Sequence, residues 1–214
     1  MFDLTATDLS GKILDCAGGP ASFNSEASTR GQRVVSCDPL YELSAGEISA
    51  RIDATFDQIV SNAEANRDRF VWQEIGSPQR LGEVRMAAMR HFLDDFPQGL
   101  QEGRYRAGVL PSLPLEDCAF DLALCSHFLF TYSDRLSVDF HVAAIEEMCR
   151  VAREARVFPL LESYGGTSSL LEPVVSTLRK RGSAVQTRLV PYEFQRGGNR
   201  MLVAFHEPPQ NTGA

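Results

Sequence analysis

Two acidic residues stand where short apolar runs of the sequence end, and both could contact a polar ligand. Asp15 ends the run KILD and precedes a turn of small residues that includes Ala17, Gly18 and Gly19. Asp38 follows a second run, RVVSC. Small residues allow a backbone to approach a ligand closely, and a carboxylate at the end of a strand can accept hydrogen bonds from ribose hydroxyl groups. This order of runs, turn and acids predicts a site for a nucleotide-like ligand.

A histidine is the clearest candidate for acid–base chemistry. His127 follows the apolar run FDLALCS, directly after Ser126. Imidazole is the commonest general base in enzymes, so His127 could accept a proton from a reacting group. The same sequence is equally compatible with a histidine that only hydrogen-bonds its own loop.

Structural roles remain open for the acidic candidates as well. Asp15 could stabilise the start of a helix, and Asp38 could begin a turn before Pro39. On the helix that is predicted after His127, His141 is expected to face solvent. Four further polar residues are assigned to turns and caps: Tyr132, Asp134, Glu162 and Tyr164.

The elements that must position these residues can be read from apolar patterning. Continuous apolar runs of five to seven residues are typical of strands that are buried on both faces. The sequence predicts strands at 12–16, 33–37, 104–107, 120–126, 156–161, 184–190 and 200–205. The glycines and asparagine between the last two favour a tight hairpin connection.

Other segments have the spacing of helices. A short helix, capped by Ser22 or Asn24, is expected to end at Gly31. Further helical patterns occupy positions 56–63, 81–92, 136–151 and 170–178. The stretch 41–103 contains two of these helices and no strand pattern, so we expect a helical insert that caps the ligand-binding face. Its aromatic residues could instead belong to the core.

Alternating strands and helices with a closing hairpin predict a three-layer α/β sandwich. We expect a mostly parallel, seven-stranded Rossmann-like sheet with an antiparallel C-terminal hairpin strand. One domain is expected over residues 1–206, followed by a flexible tail at 207–214. In such sheets the ligand lies at the carboxyl ends of the strands, where the strand order switches.

Composition narrows the range of partners. The 28 acidic and 21 basic residues give a formal net charge of −7, so we expect no nucleic-acid partner. No signal-peptide or membrane-spanning pattern is present in the sequence, and we expect a cytoplasmic protein without membrane association. The five cysteines show no CxxC pairing, which indicates structural roles and no metal site. The sequence leaves the oligomeric state open.

Four motifs in order resemble the class I S-adenosylmethionine-dependent methyltransferases. They are the glycine-rich ILDCAGGPAS, the acidic CDP after the second strand, GVLPSLPLEDCAFDLALCSHFLF around the fourth strand, and EEMCRVAREARVFPL leading into the fifth. The resemblance covers roughly residues 10–206. It implies that the protein is a methyltransferase with S-adenosyl-L-methionine as its cofactor and a small molecule as methyl acceptor.

The resemblance also implies roles for individual residues. Asp15 would anchor the methionyl amino group and Asp38 would bind both ribose hydroxyls. His127 would lie near the transferred methyl group as the catalytic residue. The full set of implied cofactor contacts is Asp15, Ala17, Gly18, Gly19, Asp38, Pro39, Leu40, Val109, Leu110, Ser126 and His127.

The sequence departs from the family pattern at three positions. Ala17 and Ala21 stand where the family usually has glycine, and Val109 stands where many relatives carry an aspartate that holds the adenine amino group. Two alternative functions therefore stay open: a non-catalytic module that binds the cofactor or regulates a partner, and an NAD(P)-dependent oxidoreductase. The sequence lacks the GxGxxG turn that the oxidoreductase would need.

The mechanism implied by the resemblance is an in-line attack of the acceptor on the sulfonium methyl group, with the protein supplying alignment and exclusion of water. The helical insert would line the acceptor site. Its mixture of aromatic and basic side chains would suit a small amphipathic and acidic molecule. These side chains are Trp72, Phe92, Phe96, Arg85 and Arg90.

Overall fold

A single seven-stranded sheet organises the chain in the computed structural model, which describes residues 1–163 and 165–205. The strands are β1 Lys12–Cys16, β2 Arg33–Cys37, β3 Tyr105–Arg106, β4 Phe120–Ser126, β5 Ala152–Phe158, β6 Ala184–Leu189 and β7 Arg200–Phe205. Their order is β3-β2-β1-β4-β5-β7-β6, and among these described strands only β7 runs in the direction opposite to the others. The predicted fold class is confirmed.

Seven α-helices accompany the sheet in the described part of the chain. They are α1 Ala6–Ser10, α2 Phe23–Thr29, α3 Ala45–Asp53, α4 Phe56–Ala65, α5 Pro78–Gln101, α6 Val138–Val151 and α7 Leu171–Lys180. None of the helices in the described ranges is long and apolar enough to cross a membrane.

The central strands are continuously apolar because helices cover both of their faces. Neighbouring residues of a strand point to opposite sides of the sheet. Leu14 belongs to the apolar cluster that includes Ile145 of α6 and Leu178 of α7. Ile13 belongs to a second cluster, which includes Ala27 of α2. The sheet therefore lies between two helical layers, as predicted.

The chain between β2 and β3 contains one helix that the apolar spacing did not predict. Helices α4 and α5 correspond to the predicted patterns, whereas α3 was missed. It has a capping box, in which Ser44 accepts a hydrogen bond from the Glu47 amide and the Glu47 carboxylate accepts one from the Ser44 amide. This Ser-x-x-Glu pattern is a sequence signal for a helix start. With only Ile48 and Ile52 buried, the helix is too short for a strong periodic signal.

Two aromatic residues of α5 that were predicted to line an acceptor site belong to the core instead. Phe92 and Phe96 are both fully buried, and their ring centroids are 4.9 Å apart. They pack with Tyr41 and Tyr105 between α5 and the β2–β3 edge of the sheet. Of the two alternatives that the sequence left open for these aromatic residues, core packing holds for Phe92 and Phe96, because they lie on the face of α5 that covers the sheet.

Two further predictions need correction. Strand β5 starts at Ala152, before the predicted position 156, and ends at Phe158, directly before Pro159, which has no amide hydrogen to continue the ladder. His141 does not face solvent: it is fully buried in α6, and its Nδ1 lies 2.8 Å from the Ser137 carbonyl oxygen. It falls on the apolar stripe of the helix, one turn before Ile145.

Tyr164 and the predicted tail at 207–214 lie outside the described residues.

Candidate functional site

The strand order switches between β1 and β4. The chain passes from β1 outward to β2 and β3 on one side, and β4 and β5 lie on the other side of β1. Open α/β sheets bind ligands at the carboxyl ends of the strands at such a point. Cys16, Cys37 and Cys125 lie in register across these strand ends. The loops that follow them are therefore where a ligand site is expected.

The turn after β1 brings the backbone against two polar side chains. Ala17 and Gly19 have left-handed conformations, with φ angles of 54° and 55°. A methyl group on Gly18 would overlap Asp15 Oδ2 and would lie 2.9 Å from the Tyr41 hydroxyl oxygen. The Tyr41 hydroxyl donates a hydrogen bond of 2.8 Å to the Gly19 carbonyl oxygen. Gly18 therefore has no room for a side chain, and Tyr41 fixes the shape of the turn.

Asp15 is a nearly buried acid beneath this turn. It is 7% exposed, and its Oδ2 accepts a hydrogen bond of 2.9 Å from Ser36 Oγ. Burial raises the pKa of Asp15 to about 7; the Ser36 hydrogen bond opposes this shift and the negative charge of Asp38 adds to it. A cationic group beside Asp15 would favour its ionised form, so the site is suited to bind one.

Both carboxylate oxygens of Asp38 already accept backbone hydrogen bonds. The Gly19 amide donates to Oδ2 at 3.0 Å, and the Leu40 amide donates to Oδ1 at 2.7 Å. Burial raises the pKa of Asp38 and the two amide bonds act against this shift. Each carboxylate oxygen has a second lone pair, so Asp38 can still accept hydrogen bonds from two hydroxyl groups. Pro39 beside it is exposed and Leu40 is half-buried.

The charge of the turn is negative. Within residues 1–163 and 165–205, neither Asp15 nor Asp38 forms an ion pair. A pyrophosphate placed on this turn would be repelled, whereas an ammonium or sulfonium group would be attracted. The arrangement fits a ligand that combines a cation with a pair of hydroxyl groups.

The loop after β3 is anchored by helix α6. Glu147 of α6 accepts a hydrogen bond of 2.6 Å from the Leu113 amide, and it pairs with Arg150 at 2.7 Å. Val109 is 56% exposed in this loop, whereas Leu110 is buried in the core. Val109 therefore offers an apolar surface beside the strand ends, and Leu110 supports it from below.

His127 lies at the end of β4 with a left-handed backbone, at a φ of 52°. Its amide donates to the Phe158 carbonyl at 2.7 Å, and its Nδ1 lies 2.8 Å from Ser126 Oγ. The residue as a whole is exposed, yet desolvation of the ring by the protein around it lowers the pKa of His127 to about 4, and the positive charges of Arg85 and the N-terminal ammonium act in the same direction. His127 is therefore neutral at pH 7 and can accept or donate a hydrogen bond, depending on its tautomer.

Three residues around His127 were missed from the sequence. The ring of Phe158, at the end of β5, contacts those of His127, Phe2 and Tyr192 at centroid distances of 5.8, 6.1 and 5.9 Å. Burial lowers the pKa of the Met1 ammonium. These residues come from the N-terminus, β5 and the β6–β7 loop, and no motif joins them in the sequence.

The β6–β7 loop is joined to two other segments near this edge of the sheet. The Val71 amide, between α4 and α5, donates to the Phe194 carbonyl at 2.7 Å. The Gln195 side chain donates to the Glu162 carbonyl at 3.2 Å, in the loop after β5. Trp72 packs edge-on against Phe194, at a centroid distance of 5.5 Å. The helical stretch after β2 and the C-terminal hairpin therefore form a connected border beside His127.

The structure thus gathers most of the predicted residues into two groups. The first is the turn group, consisting of Asp15, Ala17, Gly18, Gly19 and Asp38, which hydrogen bonds and close contacts link together. The second is the His127 group, consisting of Ser126, His127, Phe2, Phe158 and Tyr192. Ser36 and Tyr41 were missed from the first group, although a polar residue within the apolar run RVVSC was a signal for Ser36.

Comparison with known proteins gives one similar curated sequence and many similar folds. No protein-family model matches the chain. An uncharacterised protein of Methanocaldococcus jannaschii, MJ0045, is 29% identical over 204 residues, which cover 95% of this chain and 89% of the relative.

Methyltransferases are among the solved structures that resemble the chain. PH0226 protein from Pyrococcus horikoshii has a TM-score of 0.48 at 12% identity, covering 92% of this chain and 82% of its own. Magnesium protoporphyrin IX methyltransferase from Synechocystis has a TM-score of 0.45 at 14% identity, covering 92% and 71%. The neocarzinostatin O-methyltransferase NcsB1 has a TM-score of 0.49 at 15% identity, covering 95% and 51%. The fold assignment rests on the strand order of the chain itself.

Proposed function

We propose that the protein is a methyltransferase that transfers the methyl group of S-adenosyl-L-methionine to a small-molecule acceptor. The observation that carries this proposal is the pair of acids at the strand switch point, Asp15 and Asp38, which no cation compensates within the described ranges. The cofactor has a cationic amino acid end and two ribose hydroxyls, and both match this pair. A dinucleotide matches it poorly, because its pyrophosphate would meet the negative charge of the turn.

Each residue of the turn group has a defined task in this proposal. Asp15 would attract the ammonium group of the methionyl end, and Asp38 would accept hydrogen bonds from the ribose hydroxyls. The main chain at Gly18 and Gly19 would pass close to the ligand. Apart from Gly19 and its two neighbours in the chain, no atom of the described residues lies within 4 Å of the position that a Gly19 side chain would occupy. Val109 would contact the adenine ring through apolar packing. The bound cofactor supplies the electrophilic methyl group.

His127 would act on the acceptor. As a neutral imidazole at the end of β4, it can hold the acceptor by a hydrogen bond, and it can take a proton if the nucleophile arrives protonated. Its lowered pKa makes it a weak base, so alignment of the acceptor is the larger part of its role. Phe158 and Tyr192 beside it would exclude water from the reacting atoms.

We propose that the helical stretch 41–103 is the cap of this site. Burial lowers the pKa of His127 and raises that of Tyr192. The positive charge of Arg85 on α5 adds to the first shift and opposes the second, which supports a role for Arg85 near the His127 group. An anionic acceptor would be attracted by Arg85, and an aromatic one would pack on Phe158. A small acidic aromatic molecule therefore fits best.

Thermal-shift measurements with three ligands test the proposal. We expect S-adenosylmethionine and S-adenosylhomocysteine to raise the melting temperature, and NAD to leave it unchanged. Asp38→Ala should abolish the shift, whereas Asp94→Asn, which neutralises an exposed acid on α5, should preserve it. A shift with NAD alone would overturn the proposal.

Turnover separates an enzyme from a binding module. Incubation with S-adenosylmethionine and a panel of hydroxylated aromatic carboxylic acids should yield S-adenosylhomocysteine. Tight cofactor binding without turnover on acceptors of any class would favour the non-catalytic module.

A further inference from the structure

A chain of buried polar side chains leads from Asp15 away from the cleft. Ser36 Oγ donates to Asp15 Oδ2 at 2.9 Å, and Asn24 Nδ2 donates to Ser36 Oγ at 3.1 Å. The Asn24 side-chain oxygen accepts from Arg104 Nη1 at 2.9 Å. Asn24 is fully buried and Ser36 is 1% exposed. Two side chains, Asn24 of α2 and Ser36 of β2, thus connect the acid of the turn to the guanidinium group of Arg104, which directly precedes β3.

Arg104, at the far end of this series of side chains, fixes which group donates and which accepts in each hydrogen bond. Arg104 forms two hydrogen bonds with the Asp95 carboxylate, at 2.6 and 2.8 Å, and one with Glu102 at 2.6 Å. A guanidinium group can only donate hydrogen bonds, so the group that faces it on Asn24 must be the carbonyl oxygen. The amide nitrogen of Asn24 must then face Ser36.

The same reasoning fixes the hydroxyl proton of Ser36. An amide NH₂ group can only donate, so Ser36 Oγ accepts from Asn24. The hydroxyl group of Ser36 has a single proton, and this proton is left to point at Asp15. A hydrogen bond that is donated to a carboxylate favours its ionised form. Along this series Arg104 donates to Asn24, Asn24 donates to Ser36 and Ser36 donates to Asp15. The hydrogen bond that reaches Asp15 therefore favours its ionised form.

The other neighbours of Asp15 act in the opposite sense or are neutral. The titratable groups that face it are Asp38, Tyr41, Cys16, Cys37 and Cys125. Asp38 carries negative charge, and burial raises the pKa of Tyr41 and the three thiols, which keeps them neutral at pH 7. Ser36 thus donates the hydrogen bond that Asp15 accepts within the described part of the chain.

We propose that Ser36 and Asn24 are positioning residues that keep Asp15 ionised and oriented toward a cationic group of the ligand. The inference rests on the proposed function, because it needs a cationic ligand at Asp15. The inference goes beyond the proposed function because it assigns the cofactor affinity of the site to two residues that do not touch the ligand. It also predicts that cofactor affinity rises with pH as Asp15 loses its proton.

The test is the pH profile of S-adenosylhomocysteine binding, measured by isothermal titration calorimetry between pH 5.5 and pH 9. The wild-type protein should bind more tightly as the pH rises through neutrality. Ser36→Ala should weaken binding about tenfold at pH 7 and move the midpoint of the profile about one pH unit upward, because Asp15 then holds its proton more firmly. The difference should shrink at pH 9, where Asp15 is ionised in both proteins.

Two controls keep the outcome specific. Ser10→Ala removes an exposed hydroxyl that bonds only the Thr7 carbonyl within the described residues, and it should leave the profile unchanged. Ser36→Cys keeps nearly the same volume with a weaker donor, and it should move the midpoint by less than the alanine variant does. If Ser36→Ala does not fold, the cysteine variant supplies the comparison.

Failure of this inference and failure of the proposed function give different results. A Ser36→Ala protein with the wild-type midpoint, or with an equal loss of affinity at every pH, would overturn the positioning role while the function stands. A wild-type protein that binds neither S-adenosylhomocysteine nor S-adenosylmethionine at any pH would overturn both.

Discussion

The turn group and the His127 group lie at the same edge of the sheet but are built differently. The turn group comes from two short motifs, and hydrogen bonds hold it from beneath through Ser36, Tyr41 and the Leu40 amide. The His127 group is assembled from the N-terminus, β4, β5 and the β6–β7 loop, mainly through contacts between aromatic rings. A rigid hydrogen-bonded turn suits a ligand of fixed structure, such as a cofactor. Aromatic side chains from separate segments suit a ligand whose structure can differ, such as an acceptor.

The largest expected effect is at the closest contact of the turn group. Gly18→Ala places a methyl group against Asp15 and Tyr41, and we expect it to lower the free energy of unfolding by about 1–3 kcal/mol and to weaken cofactor binding by about 100-fold or more. Chemical denaturation and calorimetry measure the two effects. Gly46→Ala is the matched control, since a side chain at Gly46 meets open space and should stabilise helix α3 slightly. Equal behaviour of the two variants would show that the turn is not closely packed.

Asp15→Asn should separate stability from function. The raised pKa of Asp15 means that its ionisation opposes folding. The contribution of neutral Asp15 to the free energy of unfolding is fully present below about pH 4 and is lost as the pH rises through about 7. Asparagine has no such charge, and we expect the variant to gain on the order of 2 kcal/mol of stability at pH 8 and little at pH 4. Urea denaturation at the two pH values measures this gain. Cofactor affinity should fall at the same time, and a variant that lost stability at pH 8 would argue against an ionised Asp15 there.

In the His127 group, substitution should change turnover more than cofactor affinity. His127→Asn retains a residue that tolerates the left-handed backbone, and we expect methyl transfer to fall by about 100-fold. The dissociation constant for S-adenosylhomocysteine should change by less than about threefold. Single-turnover kinetics and calorimetry measure the two quantities. Equal losses in both would place His127 in the cofactor site instead.

The smallest expected effect tests the left-handed backbone at Ala17. A left-handed backbone, such as that of Ala17, costs a residue with a side chain roughly 1–2 kcal/mol, and glycine avoids this strain in the folded state. Glycine also loses more conformational entropy on folding, which offsets part of the gain. Ala17→Gly should therefore raise the free energy of unfolding by up to about 1 kcal/mol, measured by chemical denaturation. Ala21→Gly serves as the control and should lower it, because Ala21 does not have a positive φ angle. A loss of stability at both positions would remove the argument for strain in the turn.

The same contrast explains what the sequence could predict. Strands β1, β2 and β4 were predicted with their observed bounds, because parallel strands that helices cover on both faces appear as short, mostly apolar runs. Asp15 and Asp38 were found because each stands directly at the end of such a run. Helix α3 was missed, since two buried residues give no clear period, although its capping box was readable.

The His127 group could be predicted only in part, for a physical reason. Its contacts form between residues that are far apart in the chain, such as Phe2 and Phe158, and no local pattern records them. The burial of Phe92 and Phe96 was likewise set by the packing of α5 on the sheet. The direction of the Ser36 hydroxyl depends on Arg104, and only the structure links those two residues.

A crystal structure of the protein soaked with S-adenosylhomocysteine would show directly whether the turn group binds the cofactor. We expect ribose hydroxyls within hydrogen-bond distance of Asp38, the methionyl amino group beside Asp15, and a sulfur atom that faces His127. A ligand bound elsewhere, or a ribose that does not contact Asp38, would contradict this expectation.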